Sequence, residues 1–230
     1  MKVVRFEDPT GKVCVGEWIA PDQARLISGD LYGSYEVTSQ TAEIKRLLAP
    51  VTPVNVIAIG LNYRRHAAEG GQQVPDFPLV FVKLTTSVIG PGDPILLPVD
   101  APDEVDYESE LAVVIGKTAR KVGEADALKY VLGYTCANDV SARDCQIRRD
   151  KQWARAKGFD TFCPLGPCLL IDPKQDPNAF PIRGRLNGKV MQESNTADMI
   201  FSVPKLISYL SHQFTLLPST VIVTGTPEGV

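Results

Sequence analysis

Tyr107-Glu108-Ser109-Glu110-Leu111-Ala112-Val113-Val114-Ile115-Gly116 places two acids one residue apart at the head of an unbroken apolar run. The run reads as a buried strand, because five consecutive apolar residues leave no wet face. Side chains alternate along a strand, so Glu108 and Glu110 share a face with Cα atoms roughly 6.5–7 Å apart. Like charges so placed repel in a partly dry site unless a cation or well-placed donors compensate, and oxygen-only ligands suit a hard ion such as Mg²⁺, Mn²⁺ or Ca²⁺. An acidic solvent face at the start of an antiparallel strand gives the same pattern.

Upstream, short alternating segments at 2–6, 12–19 and 24–27 are broken by Pro9-Thr10-Gly11, Pro21-Asp22 and Gly29-Asp30, which predicts a small β-rich unit. Thr41 to Leu48 has helical spacing and is stopped by Pro50 and Pro53, so a boundary is expected near residue 50, dividing 1–50 from 51–230. Val54 to Ile59 predicts an interior strand, and the polar, Gly-rich stretch from Arg64 to Phe77 a mobile functional loop. Further strands are expected at 79–83, 95–97, 134–138 and 220–223, helices at 122–131, 141–149 and 202–212, and a hairpin turning at Asn187-Gly188. Ser141 with Asp144 reads as a capping box.

At 230 residues the chain is long enough for a full-sized core, and its net charge of −3 offers no basic face for nucleic acid. No apolar run approaches the roughly 18 residues that span a bilayer, and the N-terminus mixes Lys2, Arg5, Glu7 and Asp8, so a cytoplasmic protein with no membrane partner is expected. The five cysteines include no CxxC and suggest neither a disulfide framework nor a zinc site; they are expected to be reduced and mostly buried.

Other candidate groups lie around the acidic strand. Asp139, placed just after one expected strand and just before a helix, is positioned to complete a three-carboxylate site or simply to cap that helix. Arg143 and Gln146 are three apart and share a helix face, suited to a substrate carboxylate or to solvent. His66 with Glu69 has the spacing of a base and its orienting acid. Lys157, beside glycine and aromatics, has surroundings that draw a lysine inward to an anion. His212 reads as structural, and no P-loop, dinucleotide or Gly-x-Ser-x-Gly motif is present.

Six ordered segments resemble the fumarylacetoacetate hydrolase family over about Pro53 to Val230. They are Ile59-Gly60-Leu61-Asn62-Tyr63 with His66 and Glu69; Phe81-Val82-Lys83; Asp106 to Leu111; Asn138 to Asp144; Lys157 to Pro167; and Thr224 to Val230. The resemblance implies an α+β fold, a rolled mixed β-sheet catalytic domain with a small β-rich N-terminal domain, usually as a homodimer with one Mg²⁺ or Mn²⁺ per subunit. It implies Glu108, Glu110 and Asp139 as metal ligands. Arg143, Gln146, Lys83 and Thr226 match substrate-binding positions, and Lys157 a group that holds substrate oxygen. His66 and Glu69 match a water-activating pair on a lid. Members usually continue past this Gly-Val, so either the natural chain is longer than Val230 or its sheet is finished differently.

The activity implied is divalent-metal-dependent hydrolysis of a C–C bond in β-diketo acids of the acylpyruvate or fumarylpyruvate type, the cation chelating the pyruvoyl group and stabilising an enolate. The same chemistry serves isomerisation of 2-hydroxydienoates such as 2-hydroxyhepta-2,4-diene-1,7-dioate or 5-carboxymethyl-2-hydroxymuconate, and decarboxylation of oxaloacetate-like acids. A non-catalytic binding relative is a further alternative. The expected partner is a small keto acid.

Overall fold

Five strands open the chain in the computed structural model, which describes residues 1–230: β1 (Lys2–Glu7), β2 (Val13–Ala20), β3 (Gln23–Gly29), β4 (Tyr35–Glu43) and β5 (Arg46–Leu48). Then come β6 (Asn55–Gly60), α1 (Arg64–Glu69), β7 (Leu79–Lys83), β8 (Val88–Ile89), β9 (Val105–Asp106) and β10 (Ser109–Ile115). The rest comprises β11 (Val131–Asn138), β12 (Ser141–Ala142), α2 (Trp153–Lys157), β13 (Cys163–Leu170), β14 (Pro181–Leu186), β15 (Lys189–Asn195), α3 (Val203–Gln213) and β16 (Thr220–Val223).

One mixed 12-stranded sheet runs in the order β4-β3-β2-β1-β13-β11-β10-β16-β6-β7, with β5 on β1 and β8 on β13. β10 lies inside it, antiparallel to both β11 and β16, while β16 runs parallel to β6. The interior position explains the apolar run, since both faces are covered. Leu111, Val113 and Ile115 point to one side, where they pack with Ile57, Ile59 and Ile222 against Val203, Leu206, Ile207 and Leu210 of α3. Ala112 and Val114 point to the other.

That second side shows why the sheet is rolled. Val3 of β1 and Phe81 of β7 stand far apart in strand order, yet they share a core with Ala112, Val114, Leu165 and Val223. Glu110 has the parity of Ala112 and Val114, so its carboxylate points to the inside of the roll. Ala137, its direct partner on β11, belongs to the same core, and Asp139 follows two residues later with the same parity. Register alone therefore delivers both acids to one place.

Several expectations are corrected. Thr41 to Leu48 is not a helix: Thr41, Ala42 and Glu43 pair with Arg25, Ala24 and Gln23, and Leu47 pairs with Phe6. Ile44 and Leu47 pack against the cluster of Val4, Phe6 and Cys14, so pairing and burial override helical spacing. Ile95 to Leu97 forms no strand; its side chains are exposed and nothing pairs with it. The loop expected from Arg64 begins instead as α1, and the helix expected over 122–131 is a 3₁₀ segment, Glu124–Tyr130. Ser141 caps nothing, because it sits in β12 opposite Asp106, and the turn that follows is a π-helix, Asp144–Arg149. The hairpin forms as expected, with Asn187 and Gly188 both at positive φ, as is α3, whose N-cap Ser202 accepts from the Lys205 amide. Three of the cysteines are buried, Cys136 is exposed, and all five are free. No helix is long and apolar enough to cross a membrane.

The α3 face is the chief cover of the outer side of β10. Leu206→Ala leaves a cavity where the side chain is 1% exposed and is expected to cost about 2–5 kcal/mol, measured by denaturant unfolding, with the m-value unchanged.

Candidate metal centre

Glu108, Glu110 and Asp139 are all buried, and one ligand oxygen from each lies within 4.8 Å of the others. Two backbone contacts hold this geometry. The Asp139 amide donates to the Glu108 carbonyl at 2.9 Å, and the Glu108 amide donates to Asn138 Oδ1 at 2.9 Å. The third acid is held from the far side of the strand, where Thr224 bonds to the Leu111 carbonyl and the Gly225 amide donates to Glu110 Oε2.

Two buried lysines and an arginine face the acids. Lys157 Nζ, at the end of α2, donates to Glu108 Oε2 at 2.8 Å, Asp139 Oδ2 at 2.7 Å and Ser141 Oγ at 2.7 Å. Lys83 Nζ, at the end of β7, donates to Asp139 Oδ1 at 2.6 Å and to the Lys157 carbonyl. Arg143 binds Glu108 Oε1 at 2.7 Å and Asp106 Oδ2 at 2.9 Å, and its Nη1 donates to Gln146 Oε1 at 2.7 Å. With so many donors fixed, the cluster is built rather than incidental.

The electrostatics divide the acids. Burial works against ionised Asp139, but the Lys157 and Lys83 ammoniums outweigh it and hold the carboxyl below its ordinary range. Burial likewise opposes the charge on Lys157, which Asp139 and Glu108 overcome, so this lysine is held above its usual range as a firm cation. Glu110 is bonded to no ammonium, and the nearby Lys157 charge only partly opposes its surroundings. Burial first, then the Asp139 and Glu108 charges, push its carboxyl well above 4.5.

A three-oxygen donor set of this kind fits a hard divalent cation. Octahedral Mg²⁺ at ~2.0–2.1 Å from its ligands places them roughly 3–4 Å apart, within the 4.8 Å spread of these atoms. A cation there would favour the ionised form of Glu110 that burial and the neighbouring acids oppose.

Two of the three acids open onto a cavity of about 380 Å³ lined by Glu108, Asp139, Arg143, Gln146, Lys157, Thr226 and His66 on its polar side and by Ile59, Phe81, Ile147 and Trp153 on its apolar side. Trp153 stands edge-on to Phe81 with ring centroids 5.5 Å apart, and Lys157 Nζ lies 5.2 Å above the same ring. His66 enters from α1 with Nδ1 3.5 Å from Glu69 Oε2, and Glu69 also accepts the Gly229 amide at 3.1 Å. Tyr63, at the N-cap of α1, is fully buried with its hydroxyl unpartnered; burial, then Glu110, Asp198 and Glu228, keep that hydroxyl far from ionising.

The fold thus brings Glu108, Asp139, Arg143, Gln146, Lys157, His66 and Thr226 to one cavity, with Glu69 behind His66 and Glu110 lying against its two companion acids but facing a separate opening on the sheet. Lys83 is placed otherwise than its expected substrate contact: its side chain is sealed behind Asp139 and does not line this cavity. His212 stands apart, exposed on α3 with Nδ1 2.8 Å from the Ser208 carbonyl. Sequence alone assigns no site role to Ser141, Asp106, Trp153 or Gln192; Ser141 reads as a cap, Asp106 stands only as the first residue of a motif segment, and the others carry no local signal.

Comparison with known proteins agrees with this picture. Residues 55–230 match the family model described as fumarylacetoacetate (FAA) hydrolase C-terminal. A fumarylacetoacetate hydrolase domain-containing protein 2 homolog of Dictyostelium discoideum is 49% identical over 195 residues, 80% of this chain and 64% of that one. A mitochondrial oxaloacetate tautomerase of Rattus norvegicus is 49% identical over 185 residues, 80% of this chain and 59% of that one. The chain thus spans less than two thirds of these relatives. Among solved structures, 5-carboxymethyl-2-hydroxymuconate delta-isomerase from Mycobacterium smegmatis superposes with a TM-score of 0.89 at 43% identity, covering 100% of this chain and 89% of that one.

Two predictions rest on the charge distribution. Unfolded, Glu110 titrates near 4.5, whereas its folded value lies well above. Between the two the folded state holds a proton the unfolded state has lost, so the metal-free protein loses stability as pH rises through that window. Glu110→Gln is expected to raise the metal-free melting temperature at neutral pH, flatten its pH dependence, and abolish stabilisation by added Mg²⁺ or Mn²⁺; thermal unfolding at pH 5 to 8 with and without metal reads all three. Lys83→Met strips the buried Asp139 of one partner and should destabilise by about 3–5 kcal/mol in urea unfolding.

Proposed function

The chain belongs to the fumarylacetoacetate hydrolase family, and from that premise we propose that it is a divalent-metal-dependent enzyme that interconverts keto and enol forms of a short 2-keto acid of the oxaloacetate class. The observation that carries the reading is the buried Glu108-Glu110-Asp139 triad, whose Glu108 and Asp139 line a cavity with Arg143, Gln146, Lys157 and Thr226. Relatives named oxaloacetate tautomerase and a neighbour named as a hydroxymuconate isomerase support it. Mg²⁺ or Mn²⁺ is the proposed ion; bound to the three carboxylates, it would polarise a carbonyl and steady negative charge on an enolate oxygen.

The chain's own residues divide the remaining work. Arg143, braced by Asp106 and Glu108, presents a fixed guanidinium to the substrate carboxylate, with Gln146 beside it and the Thr226 hydroxyl as a further donor. Lys157, its three N–H groups taken by Glu108, Asp139 and Ser141, lines the cavity as a fixed positive charge that favours negative charge developing on a substrate oxygen. His66 turns Nδ1 toward Glu69 and so leaves Nε2 for the substrate, where it takes a proton from the carbon beside the keto group in one direction and returns it in the other. The apolar wall of Phe81 and Trp153 keeps that exchange from bulk water.

Hydrolysis of a C–C bond in an acylpyruvate is the second reading, and the His66–Glu69 pair favours it, since an imidazole backed by a carboxylate suits the activation of water. We also propose that two copies associate. A broad opening of about 550 Å³ on the sheet, lined by Tyr134, Cys136, Pro167, Leu170, Phe180 and Ile182, supplies an apolar surface for a homodimer.

A turnover screen of oxaloacetate tautomerisation and decarboxylation, hydroxymuconate-type isomerisation and acylpyruvate cleavage, each with Mg²⁺, Mn²⁺ or chelator, tests the assignment. Metal-dependent turnover is expected, fastest for oxaloacetate tautomerisation; no turnover on any of the acids, or turnover unchanged by chelator, would sink the proposal and favour a binding relative. His66→Ala is expected to bring cleavage to background while slowing tautomerisation by about 10²–10³-fold. Unimpaired cleavage by that variant would remove the second reading.

A further inference from the structure

The β14–β15 hairpin is paired only with itself, outside the main sheet, and nearly all of it is wet. Each strand has one buried residue: Gly184 in β14 and Gln192 in β15, cross-strand partners. Besides Ile182, which packs against the core on the outer side of β10, the hairpin docks through an amide fully sealed at 0% exposure. Every polar atom of that amide is used. Gln192 Oε1 accepts the Ser109 amide at 2.9 Å, and Nε2 donates to the Pro227 carbonyl at 2.9 Å and to Thr226 Oγ1 at 2.7 Å. One side chain thus ties the residue between the two acids, Ser109, to the loop after β16. Gly184 is needed opposite, because a Cβ there would collide with Ser109 Oγ.

The direction of each bond follows from chemistry. The Ser109 amide can only donate and the Pro227 carbonyl can only accept, which fixes Oε1 on the first and the NH₂ group on the second. Thr226 Oγ1 must then accept from Gln192, so its single proton points elsewhere. Within the protein it meets only the Ser109 carbonyl, at a long 3.2 Å. Such a weakly held proton is easily taken over by an anion in the cavity that Thr226 lines.

We infer that Gln192 is a positioning residue, which by donating to Thr226 Oγ1 and Pro227 O leaves the Thr226 hydroxyl proton free to turn from the Ser109 carbonyl to an anion in the cavity and thereby sets affinity for the substrate carboxylate. The inference rests on the proposed contact between Thr226 and the carboxylate.

Oxalate, a small planar dicarboxylate, is the probe, titrated calorimetrically into the Mg²⁺-saturated protein. In Gln192→Glu the carboxylate turns the Thr226 proton inward and faces the Pro227 carbonyl, and oxalate affinity is expected to fall about tenfold. The isosteric Gln192→Met, which neither donates nor accepts, should fall less, and circular dichroism with thermal unfolding checks that both variants fold. The decisive comparison is made in a Thr226→Val background, where Gln192→Glu is expected to cause no further loss. Equal losses in both backgrounds would mean that Gln192 acts by charge or general structure, overturning the inference. An unchanged affinity in Gln192→Glu, with Thr226→Val weakened, overturns it as well. If Thr226→Val itself binds oxalate like the parent, the failure lies in the carboxylate contact under the proposed function, and the inference falls with it.

Discussion

Burying three carboxylates within a few ångströms of one another is the constraint around which the rest of the molecule is arranged. Each ionised acid taken from water carries a large desolvation penalty, returned only if cations and donors meet it with good geometry. Glu108 and Asp139 have that return from Lys157, Lys83 and Arg143. Glu110 is bonded to a backbone amide but to no ammonium, and its raised carboxyl is the mark of an incomplete balance. The protein stores at this point a demand for positive charge, which is also the property that polarising a keto acid requires.

Supplying those cations dictates much of the architecture. Lys83 reaches the triad from β7 and Lys157 from α2, while the acids come from β10 and the residue after β11. Only a sheet curled on itself brings β7 back toward β11, separated by three strands in the order of the sheet. The single Val3, Phe81 and Val114 core inside the roll therefore also fixes the positions of the charges. Contributions from outside the sheet are polar and specific: α1 brings His66, the Gly225–Pro227 loop brings Thr226, and the hairpin brings Gln192.

Legibility in the sequence varied with how local the cause was. The β10 run announced itself, because alternation within a strand is a property of neighbouring residues, and the same-face placement of Glu108 and Glu110 followed from it. The Asn187-Gly188 turn and the Ser202 cap were readable for the same reason. Residues 41–48 were misread: a helical spacing of apolar residues is also what a bulged pair of short strands presents when β3 and β1 supply the partners. Ser141 had the spacing of a capping box, yet its hydroxyl accepts from Lys157 and lies 3.3 Å from Glu108, a contact spanning 33 residues. Gln192 gave no signal at all, since an amide in an alternating strand looks like a solvent-facing residue until its strand is docked.

By itself, then, the sequence determined the chemistry available: an interior strand headed by two acids, motif segments in the family's order, and the residue types for holding a hard cation and a carboxylate. These are matters of composition and short spacing, which the covalent chain carries directly. Tertiary structure decided which of those groups meet and in what state. The β10–β11 register sets Asp139 beside Glu108, burial and unequal access to ammoniums separate Glu110 from its two companions, and the roll seals Lys83 behind the site. Proton and charge distribution depend on distances between residues far apart in the chain and on their exclusion from water, and neither exists until the sheet has closed.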